Sequence, residues 1–228
     1  SCSRDDHLDA YQKLTSSERD ERLVSGIFDT DTEEFSSELP EDHFYDKEMI
    51  LARHGLANDS AEPDSDLSEI GVRQVWKLAS LLAKTFGPKQ FIGITSPLLR
   101  CLQTSLILHE LLDVQFEVQS EVMEFPIFLE DGQQYRLQNH HEKFPQFHWP
   151  THEDWILTKE TYANFLDRTQ SALQHFPHKC IVVTHFGFIC NVTRLALSEN
   201  KVANIPPASI TYICQQEIKC LGRISEDP

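Results

Sequence analysis

From Lys47 onward the chain alternates short apolar runs with longer stretches of helical periodicity, and this alternation restricts the possible fold more than any other property. Glu48–Arg53 is an apolar run ending in charge, the pattern of a buried strand. Ser68 reads as the cap of a helix carrying Val72, Val75, Trp76, Ala79, Leu82 and Phe86 at near-3.6 spacing, ended by Gly87-Pro88. Phe91–Thr95 is a second strand. Ser96-Pro97 opens a second helix, with Ser as cap and Pro as the first helical residue, running to about Leu112. Phe116–Val122 alternates as a strand, and Tyr162, Phe165, Leu166, Thr169, Leu173 and Phe176 mark a third helix. Cys180–Thr184 is a strand, the stretch after Gly187 is helical, and Ile210–Cys214 with Ile218–Ile224 forms a closing strand pair. The alternation implies an α/β fold, a three-layer sandwich with a central, mostly parallel sheet flanked by helices on both faces.

Two segments stand outside this pattern. Residues 1–47 hold fourteen Asp/Glu and five Lys/Arg, so about −9 of the total charge of −16 lies there. We read 1–46 as an acidic extension, partly docked or flexible, before one domain over 47–228. Residues 125–157 are irregular, with prolines at 126, 145 and 150. Their Tyr135, Phe144, Phe147, Trp149, Trp155 and a group of histidines (His140, His141, His148, His152) suggest a cap over a ligand site. A metal site is not expected: no Cys lies near, and Pro150 keeps His148 and His152 off one helical face.

Composition excludes several classes. An excess of 36 Asp/Glu over 20 Lys/Arg disfavours nucleic acid and anionic membrane as partners. No apolar run approaches the roughly 18 residues of a membrane span. The six cysteines form no C-x-x-C pair and read as reduced core thiols of a cytoplasmic protein. The glycosylation sequon at Asn191 is expected within a helix.

In such folds ligands bind at the carboxyl ends of the strands. The first strand ends in Arg53-His54-Gly55, the second in Ser96-Pro97 with Arg100 one turn on; Glu124 follows the third, and Cys180–Thr184 runs into His185. Arg supplies forked donors for a phosphate dianion, a neutral imidazole can attack phosphorus, and a carboxylic acid can protonate a leaving oxygen.

Four segments carry a resemblance: Arg53-His54-Gly55, Leu67-Ser68-Glu69-Ile70-Gly71-Val72-Arg73-Gln74, Ser96-Pro97-Leu98-Leu99-Arg100-Cys101-Leu102-Gln103-Thr104 and Val182-Val183-Thr184-His185. In this order they resemble the histidine phosphatase superfamily, with its phosphoglycerate mutase-like fold, over about 47–228. The resemblance implies that His54 is the nucleophile that becomes phosphorylated, and that Arg53, Arg100 and His185 complete the phosphate pocket. Glu124 matches the family's acid, with Glu121 the alternative. No metal or organic cofactor is implied.

The chain departs from the family at Phe186, where Gly is frequent, at Phe125–Gly132, where a Gly-Trp-Glu pattern is usual, and in the loop after Gly55, where Asn58 lies near a usual Asn. Asn58 and Phe186, with Tyr135 of the aromatic cap segment, are expected to touch substrate. The implied function is hydrolysis of a phosphate monoester, small molecule or phosphoprotein, through a phosphohistidine. A phosphomutase, or a non-catalytic phosphate-recognising scaffold, is the alternative.

Overall fold

The structure, a computed structural model, describes residues 47–58, 63–126, 129, 131–150, 155–197, 204–215 and 217–225. The acidic extension 1–46 and His152 lie outside the described residues. The elements in chain order are β1 (Glu48–Arg53), α1 (Glu69–Thr85), β2 (Ile92–Thr95), α2 (Leu99–Leu112), β3 (Phe116–Val118), β4 (Gln134–Arg136), β5 (Ile156–Thr158), α3 (Tyr162–His175), β6 (Lys179–Thr184), α4 (Phe186–Leu197), β7 (Ile210–Cys214) and β8 (Glu217–Arg223).

Six strands form one mixed sheet in the order β3-β2-β6-β1-β7-β8. β3, β2, β6 and β1 run parallel, and β7 and β8 close the sheet antiparallel. The side-chain period of two sends alternate residues of β1 to opposite faces. Ile50 and Ala52 join Val75, Leu78 and Leu82 of α1 and Leu102 and Leu108 of α2, whereas Met49 and Leu51 join Phe165 and Leu173 of α3 and Phe188 and Val192 of α4. The expected three layers, with a mostly parallel sheet between helices, are present.

Local signals explain most boundaries. Ser68 Oγ accepts the Gly71 amide at 3.0 Å and caps α1, with Glu69 in the first turn complementing the helix dipole. The row facing the sheet is Val75, Leu78, Ala79 and Leu82. Val72 and Trp76, expected on the same stripe, are exposed instead, because the sheet covers only about a third of the helix circumference.

Three other expectations change. α2 starts at Leu99, not at Pro97, and Ser96 does not cap it; the cap residue is Leu98, with no side-chain bond of its own. β3 stops at Val118, and Ser120–Val122 is a 3-10 turn. Carbonyls there leave the ladder because other groups take them: Thr184 Oγ1 donates to Val122 O at 2.6 Å, and Arg168 Nη1 to Glu121 O at 2.7 Å and Met123 O at 3.0 Å. The stretch 125–157 contains a small antiparallel pair, β4 with β5, whose three-residue strands are too short to show a period.

Much of the aromatic group in that stretch is core. Phe144, Phe147 and Trp155 are buried in the cluster shared by α1 and α2, and Phe144 and Phe147 stack at 5.7 Å. His148 extends the sheet edge through backbone bonds of 2.9 Å to Phe116 and Val118. Asn191 is buried on α4, bonded to Tyr162 and Thr169.

The loop after β1 is held by side chains from α1 and α2. Gln74 Oε1 accepts the Leu56 amide at 2.9 Å, Gln103 Oε1 the Leu67 amide at 2.7 Å, and Thr104 Oγ1 the Gly55 amide at 3.2 Å. A Cβ at Gly71 would overlap the Leu56 carbonyl. Gly71→Ala is therefore expected to destabilise by about 3 kcal/mol through overpacking. Urea denaturation checks this, and a loss under about 1 kcal/mol would show that the loop yields freely.

Candidate active site

The register of β1 against β6 pairs Arg53 with Thr184, so His54 and His185 leave the sheet side by side. Their rings meet edge-on with centroids 5.1 Å apart. The His54 amide donates to Thr184 O at 3.1 Å, and the Ala208 amide to His54 O at 3.0 Å, which locks the His54 backbone between two neighbouring segments.

Hydrogen bonding assigns both tautomers. His54 Nδ1 faces Gly55 O at 2.7 Å, and a carbonyl only accepts, so Nδ1 carries the proton and Nε2 the lone pair. Arg100 Nε donates to that Nε2 at 3.2 Å. Arg100 Nη2 donates to His185 Nδ1 at 3.3 Å, so His185 is protonated on Nε2, which donates to Ser96 Oγ at 2.8 Å. One guanidinium thus bridges the basic nitrogens of two imidazoles. Arg100 Nη1 donates to Pro63 O at 2.8 Å.

Arg53 is buried at the end of β1, with Nη1 donating to Ile205 O at 2.6 Å. Its guanidinium lies 5.2 Å from the Phe186 ring centroid. Phe186 is itself buried, so its ring supports Arg53.

Glu124 sits at the amino end of α4. Its Oε1 accepts the amides of Phe125 at 3.0 Å and Gly187 at 3.1 Å, which places the carboxyl group at a helix N-terminus, on the amide two residues past His185. A Cβ at Gly187 would lie 2.5 Å from this oxygen, so the close approach requires glycine. The Glu121 side chain is exposed and accepts from its neighbour Ser120 at 3.3 Å.

Other expected residues fall elsewhere. Asn58 is exposed and ties its loop together through Asp66 Oδ1 at 2.9 Å. Tyr135 packs against the core cluster of α1 and α2. The amides opening α2 meet side chains: Leu99 N donates to Asp64 Oδ1 at 2.6 Å and Leu98 N to Ser96 Oγ at 3.4 Å.

Several contributors had no local signal. Ser96 faces His185 rather than capping a helix, and Asp64 caps α2 from 35 positions away. Arg168 is held by Glu160 at 2.7 Å and in turn holds the turn before Glu124. Cys101 Sγ lies 3.4 Å from His185 Nε2, but burial pushes the thiol pKa far up and keeps it protonated, so this pair is no thiolate nucleophile. Among the described residues no group of His, Cys, Asp and Glu has the geometry of a metal site, and no helix is long and apolar enough to cross a membrane.

Burial, and then the charges of Arg100 and Arg53, hold the His54 pKa well below 6.5. His185 is lowered in the same way, burial first, then Arg100. Both imidazoles are neutral bases in a strongly positive pocket.

Comparison with known proteins identifies the family and the fold. The sequence profile described as histidine phosphatase superfamily (branch 1) matches residues 49–221. The chain belongs to the histidine phosphatase superfamily. No curated protein matches it in sequence. Among solved structures, a mycobacterial hydrolase shares 16% identity over 80% of this chain and 93% of that one, with a TM-score of 0.56. A mycobacterial glucosyl-3-phosphoglycerate phosphatase in complex with VO3 shares 17% over 79% and 100% of the two chains, at 0.53. An Entamoeba histolytica phosphoserine phosphatase in complex with 3-phosphoglyceric acid shares 17% over 79% and 98%, at 0.52. At these identities the likeness establishes the fold.

An unfolded chain protonates its imidazoles near pH 6.5, and the folded one resists. The unfolded state therefore binds more protons just below that pH, and native stability falls as the pH falls. The urea midpoint should be lower at pH 5.5 than at 7.5, with a smaller difference in the His54→Ala, His185→Ala double variant. An unchanged difference would remove these two rings as its source.

Proposed function

We propose that the chain hydrolyses phosphate monoesters through a phosphohistidine on His54. The observation that carries this reading is the Nδ1–H tautomer of His54, fixed by Gly55 O, which leaves Nε2 as a base beside two arginines and a second imidazole.

A phosphate entering this pocket takes donors from Arg100 and Arg53, which match its oxygens bidentately. The His54 Nε2 lone pair attacks phosphorus, the P–O ester bond breaks, and the leaving oxygen takes a proton from Glu124. Water then attacks the phosphohistidine, Glu124 regains a proton from it, and the P–N bond breaks to release inorganic phosphate. His185, oriented by Ser96, donates to the phosphoryl oxygens once it is protonated, and the incoming dianion favours that state. The placement of Glu124 beside His185 supports it over the exposed Glu121 as the proton carrier.

The mycobacterial and Entamoeba neighbours are phosphatases of small phosphorylated molecules by their names. We place this chain's substrate in the same broad class, a small phosphomonoester. No cofactor is called for, since the charge of the arginines does the work a metal would otherwise do.

Brief incubation with an activated phosphate donor, quenched at alkaline pH, should add an acid-labile mass of about 80 Da to wild type and none to His54→Ala. Aryl phosphate turnover should fall by about 10³-fold or more in His54→Ala. No adduct and no turnover across several esters would replace this reading with a phosphate-recognising module.

Glu124→Gln should lower kcat by about 10²-fold or more while the adduct still forms from a donor with a good leaving group. Gly187→Ala, which displaces the Glu124 carboxylate, should lower kcat in the same direction with less effect on phosphate affinity. Equal kcat in wild type and both variants would remove Glu124 from the proposed mechanism.

A further inference from the structure

We propose that His140 and Asp64 form a positioning pair that holds Arg100 against His54, and so couple the irregular segment after β4 to the anion pocket. The proposal rests on the reading above only in taking Arg100 and His54 as that pocket. Neither member of the pair touches the reacting atoms.

α2 has no cap from its own residues. Asp64 supplies one from the loop after β1, and its two oxygens do different things. Oδ1 accepts the Leu99 amide at 2.6 Å, and Oδ2 faces His140 Nε2 at 2.8 Å. The side chains are 2% and 1% exposed, so solvent competes with neither bond. Arg100 is the next residue along α2, and its Nη1 donates to Pro63 O at 2.8 Å, the carbonyl immediately before Asp64. Pro63-Asp64 thus grips the first turn of α2 by its backbone and Arg100 by its side chain. From there Arg100 reaches His54 and His185.

His140 is fixed from the other side. Its carbonyl accepts the Lys143 amide at 2.9 Å and the Phe144 amide at 3.1 Å, and the Phe144 ring is buried in the core cluster of α1 and α2. A continuous line of contacts runs from that core through His140, Asp64 and Pro63 to the guanidinium.

The chemistry of the pair argues for positioning over plain stability. A carboxylate only accepts, so His140 carries its proton on Nε2. Nδ1 is then a buried acceptor, and it has no hydrogen-bond partner among the described residues. The Asp64 bond is therefore the polar tie of this ring. An apolar side chain of the same volume would fill the space without leaving a nitrogen unsatisfied, but would leave Asp64 Oδ2 buried and unpaired. Asp64 then does best by turning toward water, which frees the Leu99 amide and shifts Pro63 away from Arg100.

The test uses the full chain and three variants. His140→Leu removes the donor. His140→Gln keeps a donor within reach of Asp64. Asp64→Ser can still cap the Leu99 amide but cannot reach His140, and it serves where His140→Leu does not fold. Two quantities are read in each: exchange of the Arg100 Nε–H proton by nuclear magnetic resonance, assigned with Arg100→Lys, and affinity for inorganic phosphate by calorimetry.

In His140→Leu and Asp64→Ser we expect exchange to rise and phosphate affinity to fall by about tenfold or more, as for a small misplacement of a binding group. His140→Gln should stay within about threefold of wild type, since the donor is retained. Folded His140→Leu and Asp64→Ser with wild-type exchange and affinity would overturn the proposal. So would a His140→Gln as impaired as His140→Leu, which would mean that ring shape alone matters. A wild type with a protected Arg100 proton but no turnover would overturn the phosphatase reading and leave this one standing.

Discussion

The parallel pairing of β1 with β6 is the constraint on which the site depends. Both strands are buried on both faces, and their register sets Arg53 opposite Thr184. A slip of one residue would exchange the two core faces and also separate the imidazoles. Packing of Met49 and Leu51 on one side, and of Ile50 and Ala52 on the other, therefore aligns two histidines that lie 131 positions apart in the chain. β2, paired to the far side of β6, delivers Ser96 to the same edge, and α2 then swings Arg100 back over the gap.

Burial gives this arrangement its electrostatic character. Two imidazoles and two guanidiniums share a region from which solvent is largely excluded. Burial, with the guanidinium charges beside them, keeps both imidazoles neutral. The pocket is a fixed positive field lined with neutral bases, held in an acidic molecule of net charge −16. Attraction for an anion here is local and owes little to the protein's overall field.

Few of the residues that make the pocket work belong to it. Gln74, Gln103 and Thr104, which match the family's motifs, bond to backbone amides of the loop after β1. Arg168 and Thr184 hold the turn before Glu124, and Asp64 holds the start of α2. Each satisfies backbone groups that the strand ends and helix ends leave without partners, which is why irregular chain can be rigid there. The site's geometry is thus a product of hydrogen-bond satisfaction around it.

The sequence by itself determined the layered α/β fold, because periodicity of two and of 3.6 is written into the order of apolar residues and needs no partner to be read. It also determined that Arg53, His54 and His185 stand at strand ends and Arg100 at the start of the helix after β2, since each follows directly on an apolar run or a helix start. It misjudged Val72 and Trp76, because periodicity shows a stripe but not how wide a stripe the sheet will cover. It misjudged the length of β3 and the cap of α2, because the groups that ended the one and capped the other, Arg168 and Asp64, come from distant segments. It read Tyr135, Phe144 and Phe147 as a cap, because composition does not reveal which way an irregular segment turns its rings. Tertiary structure alone decided the imidazole tautomers, the sharing of Arg100 between two histidines and the approach of Glu124 to Gly187. Those are distances between residues far apart in the chain, and only packing sets them.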